Sequence, residues 1–383
     1  MVVNFRHFSY TLGTPNLKYF RHFTMKNNYC LIMAGGAGTR FWPRSRVKKP
    51  KQYLSLFGHQ SLIQESVQRF ANFIPEESIY VVSARSQKEV LEEQTNNLPK
   101  ENLIYEPVGK NTLPAIGLAA LFIAEKDTEG ILIVSPSDHL IQNDELFQQT
   151  IESALLIAEK KDGIVTIGIT PKHPATGYGY VKTAEEVKIG QVIKSFAVSR
   201  FVEKPNVELA TSYLKEGGYF WNSGIFIFKV SVFLESVQEY APELYADLMR
   251  IKEHIGADSY EEALDRIYKE VKSISIDYGI LEKAGNVFLV QGDFVWNDLG
   301  SWEEVYKYAQ KDENQNSTTG EVIMHDTKNS YVYAPDSLVA VVGLDDVIVV
   351  QEGDTILVCR RDRAEDIKEI VGEITRRKLD QYL

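Results

Sequence analysis

The sequence predicts an α/β protein: a doubly wound mixed sheet followed by a small all-β domain. Three observations predict it. Through the first half, short apolar runs alternate with helical patterns, the rhythm of βαβ units built into a parallel sheet. The second half keeps its strand-like runs but loses that alternation, which implies antiparallel members in the same sheet. From Gly320 onward, short apolar runs return about every 8–10 residues between turn residues, the spacing of β coils stacked on one another.

In chain order, residues 30–33 read as a buried parallel strand, 61–70 as a helix, 78–83 as a strand, 87–94 as a helix and 103–105 as a strand. Small and apolar residues at helical spacing make 112–126 a buried helix, and it leads into a central strand at 130–135. Strands are expected at 163–168, 179–182, 196–203 and 224–228, with one helix over 230–245. In the coil domain the runs are 331–333, 338–342, 347–350 and 356–359, separated by Pro335-Asp336, Asp345-Asp346 and residues 352–354. A charged amphipathic helix over 364–379 would cap the coil. The expected organisation is a catalytic domain over 25–319 and a C-terminal domain over 320–383. Residues 1–24 are aromatic, basic and without period, and read as a disordered or misassigned extension ahead of a natural start at Met25.

The 383-residue chain has a formal charge of −11. That charge repels a polyanion, so general nucleic-acid binding is not expected, while small anionic substrates remain compatible with local basic patches. No window approaches the roughly 20 apolar residues of a membrane span, and residues 1–24 lack the apolar core of a secretory signal. Cys30 and Cys359 both lie in apolar runs and read as buried thiols, which fits a cytoplasmic protein.

The richest stretch is CLIMAGGAGTRFWPRSRVKKPKQYL, residues 30–54. Gly35, Gly36 and Gly38 directly follow the first strand and remove side chains that would keep backbone N–H groups from an anion. Taken alone, this is either a tight strand-to-helix turn or a phosphate cradle. Arg40, Arg44, Arg46, Lys48, Lys49 and Lys51 follow closely and favour the cradle. The spacing matches neither a Walker A loop nor the G-x-G-x-x-G dinucleotide fingerprint. Asp138 and Asp298 each follow an apolar run at a turn; two such carboxylates can cap turns or can share one Mg²⁺, a hard ion that takes its remaining oxygens from water and phosphate.

The G-G-x-G-T-R…P-K-Q pattern resembles the signature of the sugar-nucleotide pyrophosphorylases. Within them, R-F-W-P-R-S-R followed by P-K-Q-Y-L resembles the mannose-1-phosphate guanylyltransferases. The resemblance runs from about Cys30 to Gly372 and implies a Rossmann-like catalytic domain of the nucleotide-diphospho-sugar transferase type with a small left-handed β-helix-like C-terminal domain. It implies synthesis of GDP-mannose from GTP and mannose 1-phosphate with Mg²⁺. Arg40 and Lys51 would be catalytic; Gly35, Gly36, Gly38, Thr39, Gly109, Asn111 and Asp138 would bind the nucleotide. Gly179, Glu203, Lys204 and Asn222 would bind the sugar phosphate, and Asp138 and Asp298 the metal. Asp277 either touches ligand or caps a helix. For His139 a structural role is favoured over a catalytic base, because nucleotidyl transfer asks little proton chemistry of the protein.

Departures from the family pattern are Phe41, Arg44, the basic run Val47-Lys48-Lys49, Leu113 and Asn297. They bear on substrate preference rather than on the reaction. A chain of this length has no room for the phosphomannose-isomerase-type barrel of longer relatives, so no isomerase activity is expected, and a homodimer is compatible with the family. The competing readings are another sugar-1-phosphate nucleotidyltransferase, using UTP, dTTP or glucose 1-phosphate, and a non-catalytic regulatory protein on the same fold.

Overall fold

The structure, a computed structural model, describes residues 27–36 and 38–383. The expected extension at 1–24 and the start at Met25 lie outside the described residues.

Strand β1 (Asn28–Ala34) shows how the sheet acquires two covered faces. Successive side chains point to opposite sides of a strand, so Leu31 joins one buried cluster while Cys30 and Ile32 join another. Strands β2 (Ile79–Ala84) and β3 (Leu103–Glu106) add in parallel on one side of β1, and β4 (Ile131–Pro136) adds in parallel on the other. The chain therefore reverses its direction of growth between β1 and β4, and the crevice outside their carboxyl ends is where such sheets bind ligands. A short pair, β5 (Leu140–Gln142) with β11 (Val295–Asn297), lies beside this edge.

Beyond β4 the sheet turns mixed, as expected. Strand β9 (Tyr219–Lys229) runs antiparallel between β4 and β6 (Ile164–Ile169). Strands β10 (Val287–Gly292), β8 (Ser195–Val202) and β7 (Tyr180–Glu186) complete a nine-stranded sheet in the order β3-β2-β1-β4-β9-β6-β10-β8-β7. Because β9 is reversed, its first residues reach the end of the sheet where β4 and β6 finish, and Asn222 pairs with Gly168 there.

Helix α1 (Leu62–Ala71) begins at a capping box in which Ser61 and Gln64 satisfy each other's backbone N–H groups. Helices α2 (Lys88–Gln94) and α3 (Thr112–Ala124) follow as expected, α3 buried on nearly every side. Helices α4 (Asp144–Lys161) and α5 (Val207–Glu216) are not among the expected elements, though each carries its signal. Asn143 and Asn206 cap them by accepting from the backbone N–H of Leu146 and Leu209, and Phe147, Ile151, Leu155 and Ala158 form a buried stripe on α4. The single helix expected over 230–245 is two, α6 (Val230–Tyr240) and α7 (Pro242–Lys252). Proline lacks an N–H and clashes with the preceding turn, so Pro242 starts a new helix instead of continuing the old one. Helix α8 (Tyr260–Glu270), also unexpected, packs on α7.

After α9 (Trp302–Tyr308) come the stacked strands β12 (Ser317–His325), β13 (Tyr331–Val342), β14 (Val347–Glu352) and β15 (Thr355–Arg360). The pairs β12–β13 and β13–β14 are parallel, the arrangement of a coil, around Val332, Val341, Val347 and Val349. Two details differ from the expected rungs. The runs at 331–333 and 338–342 belong to one irregular strand, and β14 and β15 form an antiparallel hairpin closed at Gly353. The terminal helix is shorter than expected: a 3₁₀ segment Arg361–Asp366 leads into α10 (Ile367–Arg376). Tyr331, Ile348, Ala364 and Ile367 pack against Phe41, Trp42 and Trp302, so the coil sits on the segment that follows β1.

Candidate functional site

The turn after β1 and the turn after β4 meet at the switch point. Gly38 has φ 56°, in the left-handed region, and a Cβ there would lie 2.5 Å from Lys51 Cβ and 2.9 Å from Lys51 N. The glycine thus does more than expose N–H groups: it lets the chain of Lys51 pack directly against the turn. Lys51 is buried, and its ammonium lies 2.9 Å from Asp138 Oδ2 and donates to the carbonyl of Asp298 at 2.6 Å. One cation therefore joins the ends of β1, β4 and β11. These residues, with Thr39, Arg40 and His139, line a cavity of about 350 Å³.

Burial works against the charge of Asp138, but Lys51, then His139 and hydrogen bonds, outweigh it and hold the carboxyl below its ordinary value. Burial pushes His139 the other way, below its usual imidazole value, so the ring is neutral near pH 7. Its Nδ1 accepts from Trp296 Nε1 at 3.2 Å. The ring is thus anchored by Trp296 where both cavities meet it.

Asp298 is held from several directions. Tyr178 Oη donates to its Oδ1 at 2.9 Å, and burial and the Asp298 charge raise the Tyr178 phenol, keeping it a donor. Asn297 accepts from Leu299 N at 2.7 Å and donates to Glu304 at 2.8 Å, fixing the turn in which Leu299 takes φ 47°. A non-glycine residue in that region stores strain, and the Asn297 bonds offset it.

A second cavity of about 220 Å³ shares His139 and Asp298 with the first and contains the expected sugar-phosphate group: Gly179, Glu203, Lys204 and Asn222. A Cβ on Gly179 would lie 2.5 Å from Glu203 Oε2, so the glycine makes room for that carboxylate. Lys204 Nζ donates to Glu203 at 2.6 Å. Asn222 is oriented at both ends of its amide, accepting from Thr166 Oγ1 at 2.8 Å and donating to Asp277 Oδ1 at 3.1 Å. Asp277 makes no side-chain cap; it lines the cavity, and burial with Glu203 nearby pushes its carboxyl up to about 6.

Other expected residues are not part of the linings of these two cavities. Gly35 and Gly36 lie at the open end of β1, with nothing within 4 Å of a Cβ built on either. Gly109 is exposed, and Asn111 uses its side chain to cap α3 through Thr112 N at 2.8 Å. The basic run needs correcting as a single phosphate cluster. Arg40 and Lys51 reach the cavity, whereas the buried Arg44 stacks on Tyr333 at 4.0 Å and Arg46 bonds the Tyr382 carbonyl and Thr355. Tyr178 as a hydroxyl donor and Thr166 as the anchor of Asn222 were not foreseen. Thr166 sits mid-strand with no local signal.

The donor set fits Mg²⁺. Asp138 and Asp298 line one cavity, and each keeps a second oxygen besides the one held by Lys51 or Tyr178. Among the described residues no group of three or more His, Cys, Asp or Glu side chains gathers as a metal site. Two carboxylates suit a cation that completes its octahedron from phosphates and water, not one caged by protein.

The nucleotidyl transferase family model matches residues 29–315, and that of the MannoseP isomerase/GMP-like beta-helix domain matches residues 320–374. The chain is 36% identical over 351 residues to a mannose-1-phosphate guanylyltransferase of Escherichia coli, covering 90% of this chain and 73% of that one. It is 34% identical over 347 residues to the alginate biosynthesis protein AlgA of Pseudomonas aeruginosa, covering 90% and 71%. Among solved structures, one described as mannose-1-phosphate geranyltransferase from Thermus thermophilus superposes with a TM-score of 0.82 at 32% identity, over 91% of this chain and 99% of that one.

Proposed function

The chain belongs to the nucleotidyl transferase family, to its mannose-1-phosphate guanylyltransferases, and we propose that it transfers GMP from GTP to mannose 1-phosphate, giving GDP-mannose and pyrophosphate. The observation that carries this reading is the meeting of two cavities at Asp298 and His139, one lined by Gly38, Thr39, Arg40 and Lys51, the other by Glu203, Lys204 and Asn222. A triphosphate in the first and a sugar phosphate in the second would touch at Asp298.

The phosphate oxygen of mannose 1-phosphate attacks the α-phosphorus of GTP in line, the bond from that phosphorus to the bridging oxygen breaks, and pyrophosphate leaves. Several anionic groups must converge, so preorganised positive charge is the main requirement. Arg40 and Lys51 neutralise the leaving pyrophosphate, and the backbone of Gly35, Gly36, Gly38 and Thr39 receives the β- and γ-phosphates, with Gly109 and Asn111 toward the base. Glu203 and Asn222 hold sugar hydroxyls while Lys204 meets the sugar's phosphate. Mg²⁺ on Asp138 and Asp298 would supply the remaining charge neutralisation between the two phosphates. Neutral His139 moves no proton, and no covalent enzyme intermediate is required.

A cytoplasmic location and a homodimer are compatible with this reading. Among the described residues no helix is long and apolar enough to cross a membrane. A matrix of nucleoside triphosphates against sugar 1-phosphates, read by pyrophosphate release, tests the assignment. GTP with mannose 1-phosphate should give the highest kcat/KM; UTP or dTTP ahead by about tenfold, worth about 1.4 kcal/mol in the transition state, would overturn it.

A further inference from the structure

The 3₁₀ segment Arg361–Asp366 ties both walls of the triphosphate cavity together. On one wall, Glu365 Oε2 lies 2.7 Å from Arg40 Nε. On the other, Arg361 grips Glu303 with two bonds, Nε at 2.8 Å and Nη2 at 2.9 Å, just after the turn that carries Asp298. The segment is itself anchored. Arg361 donates from its backbone to Asp346 O at 2.8 Å and from Nη1 to Asn329 O at 3.0 Å, while Ala364 is buried beside Phe41 and Trp302. The chain between Arg40 and Arg46 is fastened to the same domain by Arg44 on Tyr333 and by Trp42 Nε1 on the Tyr382 carbonyl at 2.8 Å.

We infer that the C-terminal domain is a working part of the nucleotide site and that Glu365 is a positioning residue for Arg40. A guanidinium presents five N–H donors in a rigid plane. The Glu365 carboxylate beside Nε holds the Arg40 side chain by charge and leaves the two terminal nitrogens for phosphate oxygens. Without Glu365 the long Arg40 side chain, which is 42% exposed, would have to be ordered by the ligand at an entropic cost. Glu303 and Arg361 set the position of the opposite wall in the same way. This inference rests on the reading of the first cavity as a triphosphate site, not on which base or sugar is used.

The test is a double-mutant cycle in the full chain with Arg40→Ala and Glu365→Ala, assayed with whichever substrate pair the matrix finds best. Glu365→Ala should lower kcat about five- to tenfold, as expected for loosening one preorganised charge, with the KM for the sugar phosphate unchanged. Glu365→Asp, which keeps the negative charge, should recover part of that loss, whereas the neutral Glu365→Gln should not. In the Arg40→Ala background, Glu365→Ala should have no further effect. Calorimetry with inorganic pyrophosphate should show weaker binding for both single variants, and this arm needs no knowledge of base or sugar. Three results would each overturn the inference: unchanged kinetics in Glu365→Ala, a loss that persists without Arg40, or tighter pyrophosphate binding, which would make Glu365 a competitor for Arg40.

Discussion

Lys51 concentrates the residue-scale argument. A buried ammonium is costly unless paired and hydrogen-bonded, and here it is held by the Asp138 carboxylate and the Asp298 carbonyl. Replacing one partner therefore mixes stability with chemistry, and the two aspartates do so unequally. Asp298→Asn keeps the backbone carbonyl that Lys51 uses and an acceptor for Tyr178, so it is the cleaner probe; Asp138→Asn removes the charge paired with Lys51 and should also melt earlier. If both carboxylates hold one Mg²⁺, each variant should lose about two or more orders of magnitude in kcat, and the double variant little more. EDTA should abolish wild-type turnover and Mg²⁺ restore it. Losses that multiply would mean independent roles. Because the Asp138 carboxyl lies below its unfolded value, its stabilising contribution is complete above about pH 4 and disappears as the pH falls through the folded value.

At the scale of elements, the glycine of the turn after β1 and the glycine just before β7 make opposite demands. Gly38→Ala would place a methyl against the Cβ and backbone of Lys51 in a left-handed conformation. The backbone cannot give way as a side-chain tip can, so we expect a melting temperature lower by several degrees and a loss of turnover exceeding about tenfold. In Gly179→Ala the new methyl meets only the end of Glu203. That side chain can swing aside, so the fold should stand and the KM for the sugar phosphate should rise. Equal melting of the two variants would refute this contrast. At the end of β3, Tyr268 of α8 donates to buried Glu106, whose carboxyl burial pushes up to about 7. Here the folded value exceeds the unfolded one, so the folded state binds the extra proton and stability declines as the pH rises from about 4.5 through about 7. Glu106→Gln should flatten that decline, measured as melting temperature against pH; an unchanged slope would remove Glu106 as its source.

For the whole molecule, the interface between coil and catalytic domain is a core rather than a surface contact. Trp302 is fully buried, 5.1 Å from Phe41 and stacked on Tyr331 at 5.8 Å. Each such side chain fully buried is worth about 1.5–3 kcal/mol, so cutting the chain near Gly320 uncovers a continuous apolar face. The shortened protein should aggregate or change its oligomeric state, and any soluble fraction should have lost most activity, because Arg40, Arg44 and Arg46 lose their partners together. A monodisperse, fully active product of unchanged size in light scattering would show that the two parts are energetically separate.

What the sequence by itself determined was local: where apolar runs form strands, that the glycine turn closes the first of them, and that Asp138 and Asp298 each follow an apolar run at a turn. These follow from side-chain period, glycine conformation and turn chemistry within a few residues. Even Ala241-Pro242, which splits the helix expected at 230–245, and the stripe along α4 were legible in their own segments. The tertiary structure alone decided which charges serve the cavity. Arg40, Arg44 and Arg46 are chemically equivalent in the sequence, yet Arg46 meets a carbonyl 336 residues away while Arg40 faces both the cavity and Glu365. The orientation of Asn222 by Thr166 and Asp277 is of the same kind. A hydrogen bond or ion pair needs its partner within about 3–4 Å, and when that partner is far along the chain only the packing of the whole molecule can supply it.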